Sequence, residues 1–276
     1  MFVIASIKEG FGNRVWMLAQ TIQLFRSKYM GSGILCVVEQ ASRHDKGFPE
    51  ESMKYVFPSL TKLKWLRFIG WKEYDTLRQD PETVVLQPSF EFSYDVFDSF
   101  IKKHFVLNPV FDKVFEKYDT RKGTAIHIRL GDKFKLNYRL AKKGSPPSYA
   151  LPSPTYYADH TRNGPIYVFT DSPDIVECVF MESLPVDAIL VKDEPFWNVF
   201  ALFTKFRHII VSDSTLVTAA RYWNRKDADA VAPMYRSWEG ELKISPLLNP
   251  DLFVRDNRKD IILRGSDYIE IHKRCT

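Results

Sequence analysis

The chain has 276 residues, of which 45% are apolar and 26% charged, and a formal net charge of +5. This is globular composition; it excludes a disordered chain and suits one large domain or two small ones. The basic surplus is small and scattered, with no Lys/Arg run interleaved with aromatics, so it fits a small anionic ligand and gives no sign of nucleic acid.

Residues 2–6 read as a buried strand, followed by the turn Glu9-Gly10-Phe11-Gly12-Asn13 and a helix over 14–29. Val15, Leu18, Ala19, Ile22 and Phe25 give that helix its apolar spacing. A strand over 34–38 completes a strand–helix–strand unit, which implies a parallel sheet. The stretch 40–100 is irregular, with a short strand near 84–87, and helices are expected over 92–105 and 110–118. Alternation is clearer afterwards. Strands are expected over 124–129, 166–170, 188–191, 208–212 and 228–232, and helices over 156–160, 173–181, 197–206 and 215–223. A long loop is expected over 133–153. The pattern predicts a second Rossmann-like sheet, with domains of 1–120 and 121–255 divided at the polar segment 119–123 and a charged tail over 256–276 crossing the surface.

Cys36, Cys178 and Cys275 are far apart and odd in number, so they are expected to be reduced, as in a cytoplasmic protein. Residues 2–6 are too short for a signal core, and no run approaches the ~18 apolar residues of a transmembrane segment. A soluble cytoplasmic protein is expected.

Four strand-to-helix junctions could carry chemistry. In Gly10-Phe11-Gly12-Asn13-Arg14, glycine lets backbone approach a ligand, the helix N-terminus offers N–H groups, and Arg14 adds a charge. A tight turn without a ligand uses the same residues. The third glycine of a dinucleotide fingerprint and the P-loop pattern are both missing. In His127-Ile128-Arg129-Leu130-Gly131-Asp132, His127 and Arg129 are expected on one face at the carboxyl end of a strand, where open α/β sheets bind ligands. Arg129 suits a diphosphate, Gly131 a turn, and Asp132 the locking of Arg129. The structural alternative is a buried Arg–Asp pair beside a satisfied core histidine. Asp171 could accept from a base or ribose, whereas Ser172 reads as a helix cap. Ser214 and Thr215 form either an anion cradle or a cap. Asp227-Ala228-Asp229 has the DxD form of a metal site but precedes its strand, which puts it at the wrong sheet edge, and no other metal site is expected.

Taken in order, these segments resemble the inverting α-1,2-fucosyltransferases and the related α-1,6- and protein O-fucosyltransferases. The resemblance rests on Gly10 to Arg14, on His127, Arg129, Gly131 and Asp132, on Tyr156-Tyr157 with Phe169-Thr170-Asp171, and on His208 to Thr215. It covers about half the chain. It implies a GT-B fold, two Rossmann-like domains facing across a cleft, and transfer of a sugar from a nucleotide-sugar donor to a glycan acceptor without metal or other cofactor. Arg129, His127 and Asp132 would be catalytic, Arg129 by binding the donor's β-phosphate. Gly10, Gly12, Asn13, Arg14, Asp171, Ser212, Ser214 and Thr215 would bind the donor. GDP-fucose is the implied donor. Leu216-Val217-Thr218-Ala219 stands where α-1,2 members are rich in aromatics, which leaves another GDP- or UDP-sugar such as UDP-xylose open. A non-catalytic nucleotide- or glycan-binding protein is the alternative of another class.

Overall fold

The structure, a computed structural model, describes residues 1–40, 52–88, 94–223, 228–238, 241–244 and 252–276. It divides into two compact units, Met1–Phe111 and Asp112–Thr276. The division falls before the expected 120/121 because the intervening segment packs on the second unit. There, Lys205 lies over the Phe115 ring and Tyr118 meets Tyr167 and Phe169 edge to face or tilted.

The first unit runs β1 (Phe2–Ile7), α1 (Phe11–Lys28), β2 (Ile34–Glu39), α2 (Ser52–Val56), β3 (Leu66–Phe68), α3 (Trp71–Arg78), β4 (Val84–Leu86) and α4 (Ser99–His104). Its sheet has the parallel order β3-β2-β1-β4. Val3, Ile4, Ala5 and Ile7 are fully buried, as a strand covered on both faces must be. Gly10 is the N-cap of α1, so the first helical turn takes in Phe11 and Gly12, earlier than expected. That helix is buried on most of its circumference, and Trp16 meets Phe97 edge-on at 4.4 Å.

The second unit contains α5 (Asp112–Phe115), β5 (Thr124–Ile128), α6 (Gly131–Ala141), α7 (Pro154–Asp159), β6 (Ile166–Thr170), α8 (Pro173–Ile175), β7 (Ile189–Val191), α9 (Phe196–Phe203), β8 (His208–Val211), α10 (Thr215–Trp223), β9 (Asp229–Pro233), β10 (Tyr235–Trp238), β11 (Glu241–Ile244), β12 (Val254–Asp256) and α11 (Gly265–Cys275). Its six-stranded sheet is parallel in the order β12-β9-β8-β5-β6-β7, with β10 and β11 pairing separately and antiparallel. The first strand, β5, is central. The chain lays β6 and β7 on one flank and then crosses to lay β8, β9 and β12 on the other. This is the dinucleotide-fold strand order, and it creates a switch point between β5 and β8.

Three expectations are corrected here. The first half of the expected loop 133–153 is α6, whose buried face is Phe134 and Asn137. Asn137 is fully buried and fully used: its Nδ2 donates to Tyr149 O and Tyr268 Oη, and its Oδ1 accepts from Ser148 and Tyr149 N–H. A polar residue at the core position hides the helical stripe. The expected surface tail is instead the end of β12 and α11, whose Tyr268 is fully buried against Phe134. Finally, Cys178 and Cys275 form a disulfide with Cα atoms 6.0 Å apart, tying α11 to the segment after β6, while Cys36 is buried in the first unit. Disulfides persist in oxidising compartments, so the cysteines give no support to the cytoplasmic expectation. Among the described residues no helix is long and apolar enough to cross a membrane.

Candidate functional site

The switch point of the second sheet opens where β5 and β8 end side by side, His127 pairing with Val211. Three turns leave this carboxyl edge together: Arg129-Leu130-Gly131 after β5, Asp171-Ser172 after β6, and Ser212-Asp213-Ser214 after β8. Arg129 lies just beyond β5 with its side chain 27% exposed. Its Nη2 donates to Asp132 Oδ1 at 2.7 Å, and its Nη1 is 2.5 Å from Asp171 Oδ2. Charge-assisted bonds of this kind fix a guanidinium's direction as well as its position.

The turn that carries Arg129 is itself held by the turn after β6. Leu130 N–H donates to Asp171 Oδ1 at 2.9 Å, and Gly131 N–H donates to Ser172 Oγ at 2.9 Å. Ser172 therefore caps its neighbour's turn and makes no side-chain cap to α8, the role expected for it. Gly131 has φ +32°, and a Cβ there would run into the Asp171 carboxylate. Both facts call for glycine.

β5 ends at Ile128, so His127 lies on the strand and Arg129 is the first residue of the turn after it. His127 is 6% exposed, with its ring edge-on to Phe203. Its Nδ1 is 3.3 Å from Ser212 Oγ, and that oxygen also accepts from Arg129 N–H at 3.0 Å. Burial, with the charges of Arg129 and Lys133 adding to it, holds the imidazole down to about 3, so it is neutral. Tyr157, also buried, is pushed up by burial, with its bond to Ser212 opposing. Tyr156 sends its hydroxyl to Val211 O at the end of β8 and Val231 O in the middle of β9. His127, Ser212 and the two tyrosines thus form a buried floor beneath the edge.

Ser214 and Thr215 sit half-buried at the start of α10, where Ser214 O accepts from Thr218 N–H and Oγ1. Lys133 joins this group unannounced by the sequence pattern. Its Nζ donates to Asp213 O at 2.8 Å and lies 5.1 Å from the Tyr149 ring centroid, linking α6 to the turn after β8. A cation in the first turn of a helix opposes the macrodipole, and that mismatch was the available signal.

The other expected residues belong to the first unit, at the corresponding turn of its own sheet. A Cβ at Gly10 would meet nothing within 4 Å, and Asn13 is half-buried. Glu9 holds φ 75°, in the left-handed region. Arg14, expected to offer its charge to a donor, is 0% exposed and lies 3.5 Å from Glu39, which also accepts from Ser52 Oγ and Met53 N–H. The guanidinium faces inward and braces α1 against the end of β2.

Among the described residues no group of three or more His, Cys, Asp or Glu is arranged to hold a metal ion. Asp229 opens β9 at the opposite sheet edge and pairs with Arg162 at 2.6 Å, while Asp227 lies outside the described residues.

No protein-family model and no curated protein matches the chain. Solved structures do. POFUT1 in complex with GDP-fucose superposes with a TM-score of 0.53 at 9% identity over 84% of this chain and 97% of that one. The fucosyltransferase NodZ from Bradyrhizobium gives 0.47 at 15% identity over 80% and 91%, and the E. coli ADP-heptose LPS heptosyltransferase II gives 0.48 at 11% over 100% and 98%. Two α/β units with parallel sheets, superposing on POFUT1, are the GT-B type of fold expected from the sequence.

Proposed function

We propose that this chain is a glycosyltransferase that moves a sugar from a nucleoside-diphosphate donor to a glycan hydroxyl. The observation that carries the proposal is Arg129, a part-exposed guanidinium at the switch-point edge, aimed by Asp132 of α6 and by Asp171 of the turn after β6. GDP-fucose is the first donor to test, since POFUT1 was crystallised with it; another GDP-sugar or a UDP-sugar such as UDP-xylose is the alternative.

The reaction is a single inverting displacement. The acceptor oxygen bonds to the anomeric carbon as the bond from that carbon to the diphosphate breaks, and the hydroxyl proton passes to a carboxylate, with Asp132 and Glu9 the candidates. Arg129 neutralises the charge that develops on the leaving diphosphate, which serves in place of a metal ion. His127, buried and neutral, acts by holding Ser212, which in turn holds the Arg129 backbone. Ser214 and Thr215 are assigned to the donor.

Arg129→Ala is expected to lower transfer by about 10²-fold or more, and Arg129→Lys to restore little, because a point charge cannot reproduce the two-pronged contact. Wild-type rates in Arg129→Ala would sink the assignment. EDTA is expected to leave the rate unchanged; strong inhibition would point to a metal-dependent reaction. A protein that binds the donor in calorimetry but neither hydrolyses nor transfers it is a binding protein instead.

A further inference from the structure

Arg129 is shared by two carboxylates that are held very differently. Asp171 is tied at several points: Oδ1 takes the Leu130 N–H, Oδ2 takes Arg129, and its carboxylate packs where a Cβ on Gly131 would stand. Moving it would release the whole turn after β5. Among the described residues Asp132 bonds to Arg129 alone, and its side chain is 48% exposed against 27% for Asp171. It also sits in the first turn of α6, where the helix dipole favours a carboxylate whether or not Arg129 is its partner.

Two carboxylates around one guanidinium leave a local charge of about −1, which opposes a diphosphate. Each Nη of Arg129 gives one N–H to a carboxylate, so a diphosphate that takes those same N–H groups replaces one of the two. Replacing Asp171 costs a part-buried network. Replacing Asp132 costs one exposed pair, a small loss beside that network.

We infer that Asp171 is the fixed positioning residue of Arg129, and that Asp132 is its exchangeable partner, the carboxylate that an incoming diphosphate displaces. This rests on the reading of Arg129 as the diphosphate-binding group. Asp132 is thereby a competitor of the ligand, and removing its charge strengthens binding.

The test is calorimetric titration of the full chain with inorganic pyrophosphate, GDP and UDP, run beside thermal unfolding. Asp132→Asn is expected to bind about fivefold tighter than wild type at low salt. That gain shrinks at about 0.5 M salt, and Tm stays close to wild type. Asp171→Asn is expected to bind about tenfold more weakly or worse, with a lower Tm. Ser172→Ala removes the bond to Gly131 and keeps the carboxylate, so it lowers Tm with a much smaller loss of binding. It is the control for a merely structural effect.

Equal or weaker binding by Asp132→Asn overturns the exchangeable role, even where Asp171→Asn fails to fold. Loss of binding in Ser172→Ala as large as in Asp171→Asn overturns the positioning role. No binding of pyrophosphate or nucleotide by any variant overturns the inference and the transferase reading together. The expected binding pattern without any sugar transfer sinks only the transferase reading.

Discussion

Replacing Gly131 with alanine adds one methyl group at the point where the turn after β5 meets the carboxylate of Asp171. Two costs arise. The backbone is at φ +32°, where an L-residue loses about 1 kcal/mol relative to glycine. The new Cβ also displaces the carboxylate from Leu130 N–H and Arg129, and a charge-assisted bond is worth about 1.5–3 kcal/mol. Together the substitution should cost about 2.5–4 kcal/mol, which for a unit of this size lowers Tm by roughly 5–15 °C. The assay is urea unfolding of Gly131→Ala in the wild-type and Asp171→Ala backgrounds, with hydrogen exchange at the Leu130 amide as a local reporter. If the carboxylate is the obstacle, the cost in the Asp171→Ala background falls to the backbone share of about 1 kcal/mol. The same cost in both backgrounds would refute the steric argument, as would a cost below about 0.5 kcal/mol in wild type.

The pH dependence of stability follows from His127. Its folded value of about 3 lies below the ordinary 6.5, so the folded state resists the proton; stability is complete above about pH 6.5 and falls as pH drops toward 3. The slope is up to about 1.4 kcal/mol per pH unit, and His127→Asn should flatten it in urea midpoints between about pH 6.5 and 4. His208, also lowered by burial, acts in the same direction, so the variant is read against wild type. Asp256 acts lower still: Arg258 and His160 outweigh its burial and hold it down to about 2, below its ordinary 3.8. Reduction of Cys178–Cys275 opens a loop of 97 residues and should destabilise the second unit by up to about 4–5 kcal/mol, measured as the difference in unfolding with and without a phosphine reductant. A Cys178→Ser variant that melts like the oxidised protein would show that packing alone holds α11.

The sequence placed Arg129 at a strand's carboxyl end because a strand followed by Gly131 reads locally, through apolar period and turn chemistry. The alternation of strands and helices in the second unit was legible for the same reason. What surrounds Arg129 was not. Its partner Asp171 lies 41 residues beyond the amide it holds, on a neighbouring strand, and strand neighbours are a tertiary fact. The strand expected over 124–129 stops at Ile128, which puts Arg129 in the turn. Helix α6 was missed because Asn137 occupies its core position, and β3 because three residues carry too little pattern. The cysteine pairing spans most of the second unit, beyond any local signal.

The central position of β5 also constrains how the protein comes together. Its flanks are filled by β6 and, much later in the chain, by β8; the oxygen that holds the Arg129 amide arrives 83 residues afterwards. Until that strand docks, the turn is held from the β6 side alone, with no acceptor for the Arg129 amide, so full phosphate affinity waits for β8. A refolding time course should therefore show helical signal returning ahead of nucleotide capture, and the lag between them would clock the docking of a single strand.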